Sequence, residues 1–352
     1  MESKTKTVLM LIFFLIMENT CDSIKCPDFK NFCTEIKISG GTEKAYADTC
    51  TKDTVADFED RDKLEQFPKG CRPADKWGPK PIQYPTTTVP EGCDSGRWQR
   101  NRVLAVIKKI VAMKLNYCHH HAPNWVPPKK DRKTTTDTTG GNANAAGQCS
   151  EEGLKIHGDR DRAWKGIDCT HYTSFVYNYA FGCYLVTLTG DQACGPNAAG
   201  KILPYGHDDQ DKFLPGDLIF IAKKGSAVPL QVSHGIIWTG YKMGSRKEFA
   251  EEHLIENMPE SQRPAVVKYI EERKKAGKDV YVISDSHNAG PNYRPFAGWY
   301  INAFSHARRL INPATILPST SNNLNFVNNK CENSKAKANN LLKKPVAEVS
   351  TQ

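Results

Sequence analysis

The residues best suited to chemistry are Cys169, His234 and a polar pair, Asp285 and His287. A thiol acts as a nucleophile when a base takes its proton and a third polar group fixes the base's tautomer and angle. Cys169 opens a stretch in which Tyr172, Phe175, Val176, Tyr179 and Ala180 form one apolar stripe at helical spacing. Asp168 stands where an N-cap is expected, so Cys169 falls in the first turn. Unpaired amides and the positive end of the helix dipole would stabilise a thiolate there and help to hold an oxyanion. His234 begins the apolar run Gly235-Ile236-Ile237-Trp238, where packing alone gives an imidazole little reason to be. Strand alternation puts Ile283, Asp285 and His287 on one face, so either polar residue is a candidate to orient the base. Taken singly, each has an ordinary alternative. Cys169 reads equally as a buried small side chain or half of a disulfide, His234 as a satisfied core histidine, and Asp285 and His287 as an exposed strand end.

These residues need elements to bring them together. Val103, Val106, Ile107, Ile110 and Val111 predict an amphipathic helix over residues 97–115. The stripe after Asp168 predicts a second over residues 169–181. Leu214-Pro215-Gly216-Asp217 turns into a strand at 218–221; further strands are expected at 232–238 and 280–285, separated by a charged helical insertion over 245–275. One cysteine-bearing helix followed by antiparallel strands makes an α+β fold. Residues 116–128 form an aromatic, His-rich loop, and the small polar stretch 129–148 is expected as a surface loop.

Upstream, Lys4 and Lys6 precede ten apolar residues, Val8 to Met17, a run suited to a secretory signal and too short to span a bilayer comfortably. The expected organisation is a signal peptide over 1–23 and a cysteine-rich extension and linker over 24–96. The α+β domain follows over 97–313, and a polar tail over 314–352. Within the extension, Lys80 to Pro90 reads as an extended linker.

Twelve cysteines fit an exported protein, because disulfides persist in an oxidising compartment. Setting aside Cys21 in the leader and Cys169 as a free thiol leaves ten: Cys26, Cys33, Cys50, Cys71, Cys93, Cys118, Cys149, Cys183, Cys194 and Cys331. Their parity allows five bridges, with no connectivity implied. The formal charge of +9 draws the chain toward anionic polymers such as cell-wall carboxylates and phosphates. No zinc-finger spacing, aromatic RNA-binding signature or dense basic block points to nucleic acid. No stable membrane insertion is expected.

Several motifs occur in order. They are Gly166-Ile167-Asp168-Cys169-Thr170 with Phe175-Val176-Tyr177; Leu214-Pro215-Gly216-Asp217-Leu218-Ile219-Phe220; Ser233-His234-Gly235-Ile236-Ile237-Trp238-Thr239-Gly240; and Ser305-His306-Ala307-Arg308-Arg309-Leu310. Together they resemble the NlpC/P60 family of papain-like cysteine peptidases over residues 97–311, with insertions at 127–163 and 241–278. The resemblance implies Cys169 as nucleophile and His234 as base. The third position, usually a histidine, falls on Asp285 when Gly290 is matched to the family's glycine; a shifted match gives His287 or Ser284. Tyr117 matches a tyrosine that lies beside the nucleophile, and with Asp168 it is expected on the substrate side. The implied activity is hydrolysis of peptide or amide bonds, commonly in peptidoglycan stem peptides, without a metal or other cofactor. Acyl transfer or lipid hydrolysis on the same core, or a non-catalytic binding protein, are the alternatives.

Cys118-His119-His120-His121 has the residue types of a metal site, but consecutive residues cannot all converge on one ion and no second ligand cluster lies nearby in sequence. The expectation is a loop lining the groove, with Cys118 in a disulfide. Trp125, Trp164, Trp299 and Tyr300 serve either as groove walls or as core.

Overall fold

The run Leu218-Ile219-Phe220-Ile221 is apolar at every position, the pattern of a strand covered on both faces. The computed structural model describes residues 36, 48–67, 77–135, 147–222 and 232–311. The strands are β1 (Lys133–Thr135), β2 (Gln148–Ser150), β3 (Lys201–Ile202), β4 (Leu218–Ala222), β5 (Val232–Lys242), β6 (Tyr281–His287), β7 (Gly290–Pro295) and β8 (Phe304–Arg309). The helices are α1 (Asp48–Asp53), α2 (Phe58–Lys63), α3 (Ser95–Ala112), α4 (Glu151–His157), α5 (Cys169–Phe181), α6 (Thr189–Cys194), α7 (Glu251–Glu256), α8 (Arg263–Lys275) and α9 (Trp299–Asn302). The expected leader, Cys26, Cys33, Cys71, Cys331, loop residues 136–146 and the tail beyond 311 lie outside the described residues.

The fold is α+β. Six strands form one sheet in the order β3-β8-β4-β5-β6-β7, every neighbouring pair antiparallel. Each face is apolar. Leu218, Phe220, Ile237 and Val282 pack with Val103, Val106 and Ile107 of α3 and Tyr172, Phe175 and Val176 of α5. Ile219, Ile221, Ile236, Trp238 and Ile283 pack on the other side with Val266 and Ile270 of α8, Phe296 and Tyr300. In α8 the buried pair, Val266 and Ile270, lies four residues apart, so one stripe of the helix faces the sheet.

Helix α3 runs 95–112 rather than 97–115. Asp94 accepts the Arg97 amide at 2.6 Å and sets the start, and Lys114, at φ 50°, lies beyond the end in left-handed backbone. At the turn before β4, Arg309 of β8 grips both carboxylate oxygens of Asp217 at 2.7 and 2.6 Å, and Asp217 also accepts the Leu214 amide at 2.8 Å. This bidentate clamp fixes the angle at which β4 leaves the turn. Within the stretch 129–148, β1 and β2 pair in parallel, with Lys133 opposite Gln148 and Thr135 opposite Ser150.

The extended segment 79–90 is docked, not loose. Asn178 of α5 donates to the Ile82 carbonyl at 2.8 Å and accepts the Tyr84 amide at 3.1 Å, and Thr87 donates to the Ala180 carbonyl at 3.0 Å. Gly182 ends α5 in left-handed conformation, φ 69°, and a Cβ there would meet the Tyr84 carbonyl oxygen at 2.4 Å. Arg102, fully buried in α3, donates to the carbonyls of Ala180 and Thr54 and to Asp57, tying the upstream helices to the core.

Disulfides join Cys50 to Cys93 and Cys118 to Cys149, and Cys194 is also disulfide-bonded. They fit an oxidising, extracellular or periplasmic environment. Cys183, counted by parity among the paired ten, is instead a free, half-buried thiol. Parity counts residues and carries no geometry, which is why it misassigned this one. No helix among the described residues is long and apolar enough to cross a membrane.

Candidate active site

Cys169 is the first residue of α5 and a free, buried thiol. The turn before it is pinned from two sides. Asn116 and Gly166 form a parallel bridge, with the Ile167 amide donating to the Asn116 carbonyl at 3.1 Å. Ser286 of β6 donates to the Ile167 carbonyl at 2.5 Å, and two residues earlier Ser284 pairs with the Tyr172 hydroxyl at 2.7 Å. The helix start is therefore fastened to β6. Asp168 is the N-cap, its carboxylate accepting the His171 amide at 3.0 Å. That satisfies the third amide of the helix and leaves those of Cys169 and Thr170 without an intrahelical acceptor, as helix geometry requires.

Alternation along β6 sends Asp285 to the opposite face from Ser284 and Ser286. There it meets His234 of β5, whose Nε2 lies 2.8 Å from Asp285 Oδ2. The Cys169 side chain also interacts with the ring. Thiol, imidazole and carboxylate are thus grouped from α5, β5 and β6. All three are buried, at 6%, 3% and 0% exposure. Burial disfavours the imidazolium, but the Cys169 sulfur and the Asp285 carboxylate outweigh it and push the His234 pKa up to about 9.

Asp285 is itself held by a second layer. Arg294 of β7, 1% exposed, donates through Nη1 to Oδ1. The rest of its guanidinium donates to the carbonyls of His287 at 2.8 Å, Gly290 at 3.2 Å and Asn257 at 2.9 Å. Tyr300 of α9 donates to Oδ2 at 2.8 Å. Burial would raise the Asp285 pKa, yet Arg294 first and then His234 hold it well below the usual carboxylate range. Both oxygens are occupied, so the carboxylate has one orientation.

Among the residues named from sequence, Cys169, His234 and Asp285 are brought together, with His234 bonded to Asp285. Ser284 faces away and bonds Tyr172 and the Asn292 carbonyl. His287 stands beside the base, ring centroids 5.2 Å apart, and stacks on Trp299 at 5.5 Å; it lines the site but is not the group that bonds His234. Tyr117 is buried, edge-on to His287 at 6.4 Å and to His119 at 5.5 Å. Asp168 is committed to α5 and to His171, whose Nδ1 lies 2.5 Å from Oδ2, with His119 at 3.6 Å. Trp125, Trp164 and Tyr300 are largely buried, whereas Trp299 packs 5.3 Å from His234.

Sequence reasoning missed Arg294 and gave Tyr300 no polar role. Arg294 sits in Gly290-Pro291-Asn292-Tyr293-Arg294-Pro295, whose glycine and prolines signal a turn. The available signal was one buried carboxylate expected on β6, which requires a cationic partner.

The arrangement can pass a proton between a thiol and an imidazole whose far nitrogen is fixed by an anion. That is the machinery of nucleophilic acyl transfer. No known family model matches the chain, and no curated protein matches it in sequence.

Proposed function

We propose that the chain is an exported cysteine hydrolase with a papain-like, NlpC/P60-type core, acting on peptide or amide bonds of bacterial cell-wall stem peptides. The observation that carries this reading is the grouping of Cys169, His234 and Asp285, the imidazole bonded to the carboxylate at 2.8 Å and the thiol at a helix N-terminus. The motif order, the antiparallel sheet and the net charge of +9 support the substrate class.

In the proposed reaction the Cys169 thiolate attacks the carbonyl carbon, a C–S bond forms and the carbonyl electrons move onto oxygen. The Cys169 amide, at the positive end of α5, stabilises that oxyanion. The tetrahedral species collapses, the C–N bond breaks, and the protonated His234 gives its proton to the leaving amine. Water then loses a proton to His234 and attacks the thioester; the C–S bond breaks and the acid departs. Throughout, Asp285 keeps the imidazole in one tautomer and stabilises its charged form.

Replacing Cys169 by Ala tests this. Turnover of purified wall fragments, followed by mass spectrometry, is expected to fall by more than ~10³-fold. Folding stability is expected to change by under ~1 kcal/mol, since one small buried group replaces another. An electrophilic thiol probe should label Cys169 in the native protein. Full activity in the variant would remove the thiol from the mechanism. Release of fatty acid from phospholipid vesicles in place of wall fragments would move the substrate to lipid.

A further inference from the structure

A second group of reactive residues lies outside this site. Cys118, His120 and Cys149 are all fully buried, and one donor atom from each lies within 4.8 Å of the others. The two cysteines are joined as a disulfide, which accounts for their proximity. It does not account for His120. Neither of its ring nitrogens finds a hydrogen-bond partner among the described residues, and its one ring contact is edge-on to Trp125 at 4.9 Å. An imidazole buried without partners costs about 1–3 kcal/mol and calls for an explanation such as an ion or a redox role.

We propose that Cys118, Cys149 and His120 form a redox-gated binding site for a thiophilic divalent cation, Zn²⁺, which is open when the disulfide is reduced and closed when it is formed.

The backbone keeps the ligands together in either state. Cys118 and Cys149 face each other across an antiparallel bridge with Cα atoms 4.1 Å apart. Hydrogen bonds flank the pair on both sides, His119 amide to Gln148 carbonyl at 2.9 Å and Ser150 amide to Tyr117 carbonyl at 2.8 Å. Breaking the S–S bond therefore frees the sulfurs without freeing the chain. Tetrahedral zinc with Zn–S bonds of ~2.3 Å needs its sulfurs about 3.8 Å apart, a separation reached by rotating side chains alone. His120 is brought over the pair by a tight turn in which its amide donates to the Cys118 carbonyl at 2.8 Å. The Trp164 carbonyl oxygen lies 3.9 Å from each sulfur and is placed to supply the fourth donor. Two thiolates and an imidazole favour zinc over calcium or magnesium, which take oxygen ligands.

The chemistry balances. A dithiol reductant gives two electrons and two protons, the Cys118–Cys149 bond breaks into two thiols, and the reductant closes its own disulfide. Zn²⁺ then displaces the two protons to solvent as two Zn–S bonds and one Zn–N bond form.

Co²⁺ is the spectroscopic stand-in. The full chain, reduced with a water-soluble phosphine that takes its oxygen from water, is titrated with Co²⁺ under argon and then with Zn²⁺. The reduced protein is expected to develop a thiolate-to-cobalt charge-transfer band that Zn²⁺ bleaches; the untreated, disulfide-bonded protein should show none. His120→Ala leaves the disulfide in place and is expected to weaken cobalt binding by more than ~100-fold, beyond what loss of a merely supporting contact brings. Cys118→Ser with Cys149→Ser should abolish the band while the remaining cysteines are still reduced. Any of three results overturns the site: no band in the reduced wild type, equal binding by the His120→Ala protein, or a band that survives loss of both cysteines.

Discussion

His234 and His120 are both buried in the same molecule, yet their proton affinities are driven in opposite directions. His234 has a thiol and a carboxylate beside it, and its pKa is pushed up to about 9. His120 has no hydrogen-bond partner for either ring nitrogen among the described residues, and burial first and then His119 push its pKa down to about 3. Desolvation acts on both; the difference is the company each keeps. The contrast continues one layer out. Asp285, beneath His234, has both oxygens occupied by Arg294, Tyr300 and the ring itself. Around His120, the neighbouring His119 and His171 each leave an Nε2 without a hydrogen-bond partner among the described residues. A histidine that is to move protons is surrounded by groups that answer its charge. One held neutral is left with lone pairs.

The contrast can be broken by removing the answering charge. Asp285→Asn should lower turnover by at least ~10²-fold, because the imidazole loses its orienting anion. It also leaves the Arg294 guanidinium buried without its counter-charge, so chemical denaturation should show a loss of ~3–5 kcal/mol. A variant with wild-type turnover would mean that His234 needs no carboxylate.

A double-mutant cycle sharpens the point. Arg294→Met alone should destabilise by ~3 kcal/mol or more, because Asp285 is then an uncompensated buried charge. Joined to Asp285→Asn, the two losses should fall short of their sum by ~1–3 kcal/mol. Strict additivity would show that Arg294 supports the carbonyls of His287, Gly290 and Asn257 and contributes nothing to the carboxylate.

The pH dependence follows from the same two rings. The folded pKa of His234 is above its ordinary 6.5, so its contribution to stability is fully present below about 6.5 and is lost as pH rises through about 9. Activity should decline over that alkaline range as the proton for the leaving amine disappears. His120 has the opposite sign: the unfolded chain binds its proton first, so stability present above about 6.5 is lost as pH falls toward about 3. Melting temperatures measured across the acid range should fall less steeply in His120→Leu than in the wild type. Parallel acid limbs would mean that His120 is protonated in the folded state. The smallest effect belongs to the same variant at neutral pH, where removing an unpartnered imidazole should raise stability by about 1 kcal/mol.

The sequence carried the α5 helix to the residue, because Asp168 and the apolar stripe are local signals that tertiary packing did not overrule. It also pointed to Cys169, His234 and Asp285, although only their geometry separates Asp285 from His287 and Ser284. Strand β7 was not legible. It lies at the sheet edge, where Pro291 and Pro295 are tolerated, so turn-forming residues occupy a true strand. The His-rich loop was expected along a groove, but His119, His120 and His121 are buried, at 3%, 0% and 6% exposure. What covers them includes Trp77, 5.0 Å from His119 and 42 residues upstream by number, a contact that no local pattern encodes.

The bonds from Asn178 to Ile82 and Tyr84 bear on how this protein can be handled. The strip that precedes α3 fills hydrogen-bonding positions on the very helix that carries Cys169, much as a splint closes one side of a joint. A shortened version beginning at residue 97 would expose Tyr84's vacated seat on Phe175 and Tyr179 and strand the Asn178 amide in a greasy furrow. Truncation is compatible with this fold only upstream of that strip.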